Sequence, residues 1–184
     1  MRSLLIIVTV AAAFLVTACS SPTPPPGVTV VENFNTQRYL GRWYEIARMD
    51  HRFERGLDHV TTTYTLRQDG GLNVVNKGYN PARGMWQTRQ GDAMFTGSPQ
   101  RAALKISFIG PNDGSYNIIA LDNAYRYALV CGPDRGYLWI LSRTPELPEG
   151  VKKQLLDIAA RQGFAVEKLI WVNQSFNGRL ASAR

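Results

Sequence analysis

The feature that most constrains the fold is a series of short segments with strand character that fills most of the chain. Val60–Arg67 (VTTTYTLR) is rich in β-branched residues, and turn signals such as Pro111-Asn112-Asp113-Gly114 separate the segments. Regular short strands of this kind are typical of an all-β barrel or sandwich. The eight predicted strands are Trp43–Met49, Val60–Arg67, Leu72–Tyr79, Met85–Phe95, Ala103–Ile109, Tyr116–Leu121, Tyr125–Cys131 and Tyr137–Ser142.

One segment has helical periodicity instead. Pro148-Glu149 places a proline and an acid in a first turn, and apolar residues then recur on one helical face from Val151 to Ala159. Gly163 suits the residue that ends a helix in the left-handed conformation. We therefore predict one helix that packs on the barrel wall, with a short last strand at Leu169–Asn173 after it.

The first residues are typical of an export signal. Met1-Arg2 supplies positive charge, and the apolar segment Leu4–Val16 is too short to span a bilayer, which takes roughly 20 residues. Val16-Thr17-Ala18-Cys19 looks like a bacterial lipobox. This resemblance implies cleavage before Cys19 and lipidation of both its sulfur and its new amine. A plain cleavable signal with an incidental cysteine is the alternative.

These features divide the chain into four segments. Residues 1–18 are the predicted signal, residues 19–27 the lipidated cysteine and a Pro-rich spacer, residues 28–176 one folded domain, and residues 177–184 a tail. Ser20 after the cysteine implies, by the same resemblance, sorting to the outer membrane, with the domain facing the periplasm.

Charge and cysteine content narrow the function. The formal net charge of +7 is spread along the chain, which favours attraction to anionic headgroups over nucleic-acid binding. If Cys19 carries lipid, Cys131 has no disulfide partner, and its apolar neighbours indicate a buried side chain rather than a reactive thiol. Without metal-ligand spacing, a phosphate-binding loop or a nucleophile motif, we predict no metal, no cofactor and no catalysis.

A specific combination of motifs brackets the strands. Gly41-Arg42-Trp43 opens the first strand, Arg143 follows the eighth, and the predicted helix comes next. This arrangement is similar to that of the lipocalins, and with the lipobox the chain closely resembles the bacterial outer-membrane lipocalin lipoproteins. The resemblance implies an eight-stranded antiparallel up-and-down β-barrel with one C-terminal α-helix. It also implies that Gly41, Trp43 and Arg143 form a structural plug at one end.

The resemblance further implies a ligand cavity, since an eight-stranded barrel can hold one small ligand. Tyr64 and Asn76 correspond to polar wall positions of lipocalins that bind apolar ligands, and Phe108 and Trp139 correspond to apolar ones. Tyr127 is a further candidate for the wall.

Two predictions concern the first strand and the loop that follows it. Because alternate residues of a strand face the same side, Glu45 and Ala47 should point inward with Trp43. Arg52 and Arg55 lie between the first two strands, where they could hold a phosphate or carboxylate headgroup. A solvated loop is the equal alternative.

We therefore expect a membrane-tethered protein that holds or shuttles fatty acids or lysophospholipids in the cell envelope, for instance in membrane maintenance under stress. Two alternatives stay open. One is a barrel enzyme that uses a cavity-facing Cys131, and the other is a structural module whose interior is filled. The expected partners are the lipid ligand and, through the anchor, the outer membrane. Contact between open barrel ends leaves a homodimer open.

Overall fold

The structure is a computed structural model that describes residues 24–108 and 113–175. The helices in these residues are α1 (Thr36–Tyr39), α2 (Glu149–Arg161) and one 3₁₀ turn, Val166–Lys168. The strands are β1 (Gly41–Arg48), β2 (Asp58–Leu66), β3 (Leu72–Asn80), β4 (Met85–Phe95), β5 (Ala103–Phe108), β6 (Asp113–Leu121), β7 (Tyr127–Cys131), β8 (Leu138–Ser142) and β9 (Ile170–Trp171). The strand boundaries lie within a few residues of those predicted from the sequence.

Strands β1 to β8 close into an antiparallel barrel. Each strand pairs with the next, and β8 pairs with the C-terminal half of β1, residues 44–48, to complete the ring. The short strand β9 pairs with Ala47 and Arg48 of β1. Closure leaves no long free edge, which stabilises an all-β chain against edge-to-edge association. The predicted barrel is confirmed, and the sandwich alternative is excluded.

The up-and-down connection gives the barrel two different ends. We call the end at Gly41 and the β2–β3 turn the closed end. The opposite end, with the β1–β2, β3–β4 and β7–β8 loops, is the open end. At the closed end, Gly70 in the β2–β3 turn has a φ of +82°, a conformation that glycine adopts without steric cost. The Asp69 carboxylate accepts from the Gly71 N–H at 3.0 Å and tightens the same turn.

A β-bulge in β1 changes which of its side chains face inward. Glu45 pairs with Leu141, but Ala47 rather than Ile46 pairs with Ile140, so the register against β8 shifts by one residue. As a result Glu45 and Arg48 face the interior, whereas Ala47 joins the apolar cluster outside the barrel. The prediction that Ala47 points inward was wrong, because strict alternation fails across a bulge.

Helix α2 packs on the outside of the barrel wall, as predicted. Leu155 and Ala159 are buried against a cluster that includes Leu129, Cys131 and Ile140. The helix ends at Arg161, and Gly163 follows with a φ of +84°. The turn thus takes the left-handed conformation that glycine favours after a helix.

The short helix α1 was not predicted from the sequence. The Asn35 side chain caps it by accepting from the Arg38 N–H at 3.1 Å. It crosses the closed end and places Tyr39 against Trp43, with 4.7 Å between ring centroids. A helix of one turn is too short to show a helical period of apolar residues in the sequence. So short a helix is stabilised by its tertiary contacts, here those with the plug, rather than by its own hydrogen bonds.

The predicted signal (residues 1–18), Cys19 and the tail (residues 177–184) lie outside the described residues, as does the first part of the spacer. In the part of the chain that the structure describes, no helix is long and apolar enough to cross a bilayer.

Candidate ligand-binding site

The open half of the barrel contains a cavity of about 360 Å³. A filled interior is therefore excluded for this half of the barrel. The closed half is packed by a core that includes Trp43, Leu72 and Ile118. Strand and loop residues line the cavity: Glu45, Arg52, Phe53, Glu54, Leu57, Thr62, Tyr64, Asn76, Gly78, Gln87, Arg89, Ile106, Phe108, Gly114, Ser115, Tyr116, Pro133, Tyr137, Trp139 and Leu141.

The plug at the closed end has the arrangement that the sequence motifs imply. The Arg143 guanidinium lies 3.9 Å from the centroid of the Trp43 ring, and the indole is fully buried. The same guanidinium donates to the backbone carbonyls of Arg42 at 2.8 Å, Arg38 at 2.9 Å and Tyr125 at 3.2 Å. One side chain thereby joins helix α1, β1 and the β6–β7 turn. These contacts are structural and lie below the cavity.

Three buried tyrosines separate the plug from the cavity. The hydroxyl of Tyr64 donates to that of Tyr116 at 2.7 Å, and the hydroxyls of Tyr116 and Tyr39 are also 2.7 Å apart. Burial raises the pKa of all three phenols, so they stay neutral and keep their protons for this chain of hydrogen bonds. Tyr64 and Tyr116 present this polar floor to the cavity.

Glu54 is the centre of a polar cluster that holds the β1–β2 loop, residues 49–57, against the cavity wall. Its carboxylate accepts from Asn76 Nδ2 at 2.5 Å and from Trp139 Nε1 at 3.0 Å, and it lies 3.1 Å from His51 Nε2. Burial alone would raise the pKa of Glu54. The partners, led by His51, outweigh this and lower it, so the carboxylate is ionised at neutral pH.

A second buried acid, Glu45, lies beside this cluster. Arg48 Nη1 is 2.7 Å from Glu45 Oε1, and both side chains are about 2% exposed. Burial and the nearby charge of Glu54 raise the pKa of Glu45 well above its ordinary value, in spite of the arginine. Arg48 also donates to the carbonyls of Glu54 at 2.8 Å and Leu57 at 3.1 Å, which fastens the loop to β1.

Aromatic rings complete the rim on one side of the open end. The His51 ring stacks on Phe53 at 4.0 Å between centroids, and it lies 5.1 Å from Trp139 and 5.8 Å from Tyr137. Phe53, Tyr137 and Trp139 line the cavity. An apolar ligand that enters here would therefore meet ring faces before it reaches the polar floor.

Four of the five predicted wall residues lie on the cavity. Tyr64, Asn76, Phe108 and Trp139 line it, although Asn76 and Trp139 also hold Glu54 in place. Tyr127 does not. It packs with the apolar cluster under α2, and the Arg126 guanidinium lies 5.2 Å from its ring. The prediction for Tyr127 is corrected, because in β7 the inward side belongs to Ala128 and Val130.

Of the two arginines predicted to contact a headgroup, only one lies at the cavity. Arg52 is exposed and lines the mouth of the cavity. Arg55 is away from the cavity and forms a bidentate ion pair with Asp50, with Nη2 at 2.9 Å from Oδ2. Arg55 is therefore removed from the candidate site. Arg89, which was not among the predicted site residues, lines the cavity from β4.

Cys131 does not face the cavity. It belongs to the cluster between the barrel and α2, is fully buried, and burial raises the pKa of its thiol to about 12. A buried, protonated thiol on the outer side of the barrel cannot act on a ligand inside it. This orientation contradicts the enzyme alternative based on Cys131. In residues 24–108 and 113–175, no group of three or more His, Cys, Asp or Glu side chains is placed to hold a metal ion.

Sequence reasoning missed the roles of Glu54, His51 and Arg48. Glu54 lies in a loop with two arginines, a pattern typical of a solvated surface, and no periodicity marks it as buried. Arg48 was missed because the bulge turns it inward. Tyr116 was also missed, because its inward position follows from its register opposite Leu104 of β5, which the structure shows.

Comparison with known proteins places this geometry in one family. Residues 34–174 match the model of a lipocalin-like domain. The chain is 68% identical over 174 residues to outer membrane lipoprotein Blc of Escherichia coli (strain K12), which covers 95% of this chain and 98% of the relative. It is 44% identical over 151 residues to the protein of the same name from Vibrio cholerae, which covers 82% of this chain and 88% of that one.

Solved structures show the same fold at low sequence identity. Lobster apocrustacyanin A1 aligns with a TM-score of 0.67 and 17% identity over 85% of this chain and 93% of its own. Insecticyanin from the tobacco hornworm Manduca sexta aligns with a TM-score of 0.67 and 20% identity, over 84% of this chain and 88% of its own. Both similarities concern the barrel and its helix.

Proposed function

The chain belongs to the lipocalin family, and from this premise we propose that it binds fatty acids or lysophospholipids in its barrel and stores or transports them in the cell envelope. Lipocalins are in general binding proteins rather than enzymes, and we infer that this one performs no covalent chemistry. Its near-full-length relatives are outer membrane lipoproteins, and this chain shares that localisation. We propose Cys19 as the lipidated residue and the periplasm as the compartment that the domain faces.

The observation that carries the proposal is an open cavity that offers apolar wall surface and has a cation at its mouth. Ile106, Phe108 and Leu141 offer that surface to an acyl chain, Arg52 lies at the mouth, and Arg89 lines the cavity from β4. Each buried methylene contributes about 0.8 kcal/mol, so about eight of them give on the order of 6 kcal/mol towards binding. This gain can exceed the cost of ordering a flexible chain.

Charge in the cavity favours one orientation of the ligand. Glu54 is ionised on the wall and would repel a carboxylate or phosphate group that entered first. The acyl chain therefore enters first, and the acidic headgroup stays near Arg52. A role in membrane maintenance under stress remains part of the proposal and rests on the resemblance alone.

A cavity-filling variant tests the proposal. A Cβ at Gly114, on the cavity wall, would meet no heavy atom within 4 Å, so Gly114→Leu should fill the cavity without distorting β6. Gly97→Leu is the matched control, because Gly97 also has open space around it but is away from the cavity. In the wild type and in Gly97→Leu, titration with a fluorescent fatty acid should show saturable binding, and lysophospholipid should displace the fatty acid. In Gly114→Leu, this saturable binding should be lost. Equal binding by all three proteins would refute the cavity as the site.

The headgroup contact has its own test. Arg52→Gln should weaken the binding of a fatty acid more than that of the uncharged fatty alcohol of the same length. Arg55→Gln is the control, since Arg55 pairs with Asp50 away from the cavity. If Arg52→Gln and Arg55→Gln bind the fatty acid equally well, Arg52 does not hold the headgroup.

A further inference from the structure

We propose that the open end of the barrel docks on the bilayer that holds the lipid anchor, with the β3–β4 turn among the headgroups. The occupant of this surface is a phospholipid bilayer that contains anionic lipids. The inference rests on the proposed anchor at Cys19, and it adds an orientation that neither the fold nor the relatives assign. Its consequence is that a ligand could pass between cavity and membrane without crossing water.

The first observation is the place where the spacer enters the domain. Arg135, in the β7–β8 loop at the open end, donates from Nη2 to the carbonyl of Pro26 at 2.8 Å and from Nε to that of Gln162 at 2.9 Å. Pro133 and Tyr137 of the same loop line the cavity. The loop that forms part of the mouth thus also holds the last residues of the spacer.

The second observation is the length of the spacer. Pro26 lies seven positions after Cys19, and a Pro-rich segment rises ~3.1 Å per residue, which gives a reach of about 22 Å. The eight residues of β1 rise about 26 Å, or about 20 Å along the barrel axis at a normal strand tilt. If the closed end faced the membrane, the spacer would have to run fully extended along the barrel wall, because its reach only just exceeds the height of the wall. With the open end towards the membrane, it needs no such extension.

The third observation is the chemistry of the β3–β4 turn. Met85 is 52% exposed and Trp86 38% exposed at the start of β4, with Pro81 and Arg83 in the turn. The ammonium group of Lys77 lies 4.6 Å from the centroid of the Trp86 ring. Tryptophan next to basic residues is typical of surfaces that sit at the level of lipid headgroups.

The charge of the open end complements an anionic surface. Its exposed charged side chains on the β1–β2, β3–β4 and β7–β8 loops, among the described residues, are the cations Arg52, Arg55, Arg83 and Arg135 and the anions Asp50 and Asp134. Asp50 and Arg55 neutralise each other, which leaves Arg52, Arg83 and Arg135 against Asp134. Each additional basic residue near an anionic membrane contributes about 1 kcal/mol of attraction.

The closed end also exposes apolar side chains, and it exposes the cations Arg38 and Arg42, so charge alone does not distinguish the two ends. Leu66 is 45% exposed and Met94 44% exposed. The nearby Arg67 is paired with both Asp69 and Asp92, so its charge is neutralised locally. The spacer does not enter there. Leu66 and Met94 therefore serve as matched controls for Met85 and Trp86.

The experiment uses the full-length lipidated protein in vesicles of phosphatidylethanolamine and phosphatidylglycerol. Single cysteines replace one methionine at each end, Met85→Cys or Met94→Cys, and carry an environment-sensitive fluorophore, while the native Cys131 stays buried and unlabelled. Flotation of the vesicles reports the anchor. Quenching by lipids brominated near the headgroup reports which end touches the bilayer.

The proposal expects loss of most of the fluorescence from the label at residue 85 and little loss from the label at residue 94. Adding Trp86→Ser should reduce the quenching at residue 85, whereas Leu66→Ser should leave it unchanged. Because all four side chains are exposed, these changes should leave the barrel folded, and fatty-acid binding in solution verifies this for each variant.

Other results would overturn the proposal. If the label at residue 94 is quenched equally or more strongly, the closed end faces the membrane. If neither label is quenched in protein that floats, the domain stands off the bilayer. Disulfide formation between the unlabelled cysteines at residue 85 of two copies under an added oxidant, together with no quenching of the labelled protein, would show that a second copy covers the open end. Failure to float would refute the anchor itself and with it this orientation, whereas ligand binding in solution reports the cavity independently.

Discussion

Replacing Glu54 by glutamine removes the charge at the centre of the polar cluster and keeps the shape of the side chain. The carboxylate accepts from two donors, Asn76 Nδ2 and Trp139 Nε1, and also faces His51. A glutamine amide has a single oxygen, so it can accept from only one of these donors, and its NH₂ group is turned towards the other. We expect the variant to fold but with the β1–β2 loop less firmly held.

The magnitude follows from these contacts. Loss of one hydrogen bond to a charged group costs about 1.5–3 kcal/mol, and a buried donor left without a partner adds a similar amount. Because Asn76 and Trp139 line the cavity, water can reach part of the freed site and reduce this sum. We therefore expect a loss of about 2–4 kcal/mol in the free energy of unfolding. For a domain of this size that lowers Tm by on the order of 10 °C.

Urea denaturation of a soluble form that begins at Ser20, followed by tryptophan fluorescence, measures this loss. Glu149→Gln is the control, because Glu149 lies on the surface of α2 with its side chain 85% exposed. The pKa of Glu54 is lowered in the folded state, so its contribution is present above the ordinary carboxyl pKa and is lost as the pH falls through the folded pKa. The difference between the wild type and Glu54→Gln should therefore shrink below about pH 4.5. A loss no larger than that of Glu149→Gln at pH 7 would refute the role of Glu54.

Arg143→Lys should cost about 2–4 kcal/mol, because lysine cannot stack on the indole and reach three carbonyls at once; urea denaturation measures this, and an unchanged midpoint would contradict the plug. Gly41→Ala should cost about 1–2 kcal/mol in the same assay, since φ is +93° at Gly41, whereas Gly97→Ala should be neutral. Cys131 should resist a thiol reagent at pH 7 until urea unfolds the protein, and rapid labelling of the folded state would show that it is accessible. Burial raises the pKa of Glu45, so its ionisation lowers stability as the pH rises above the ordinary carboxyl value. Glu45→Gln should therefore gain stability relative to the wild type between pH 5 and pH 8, and a constant difference over that range would show that Glu45 does not titrate there.

The strands and helix α2 could be predicted from the sequence because their signals are local, whereas the choice of a closed barrel over a sandwich came from the family resemblance. β-branched runs, turn residues and a single helical period each depend on neighbouring residues, and they give strand boundaries close to those of the structure. The plug was predictable for a different reason. Gly41, Trp43 and Arg143 resemble motifs of a known family, and the structure brings them into contact.

What only the tertiary structure decided is which side chains face the cavity and what holds them there. Strand alternation assigned Glu45 correctly but failed at Ala47, because a bulge shifts the register of β1 by one residue. Tyr127 differs from the other predicted wall residues only in the side of the strand on which it lies, and the register of β7 against its neighbours fixes that side. Glu54 is buried because the loop that carries it folds back over donors from β3 and β8, residues distant along the chain. Local sequence determines how each segment folds, but burial, charge pairing and pKa depend on the contacts between segments that closure of the barrel creates.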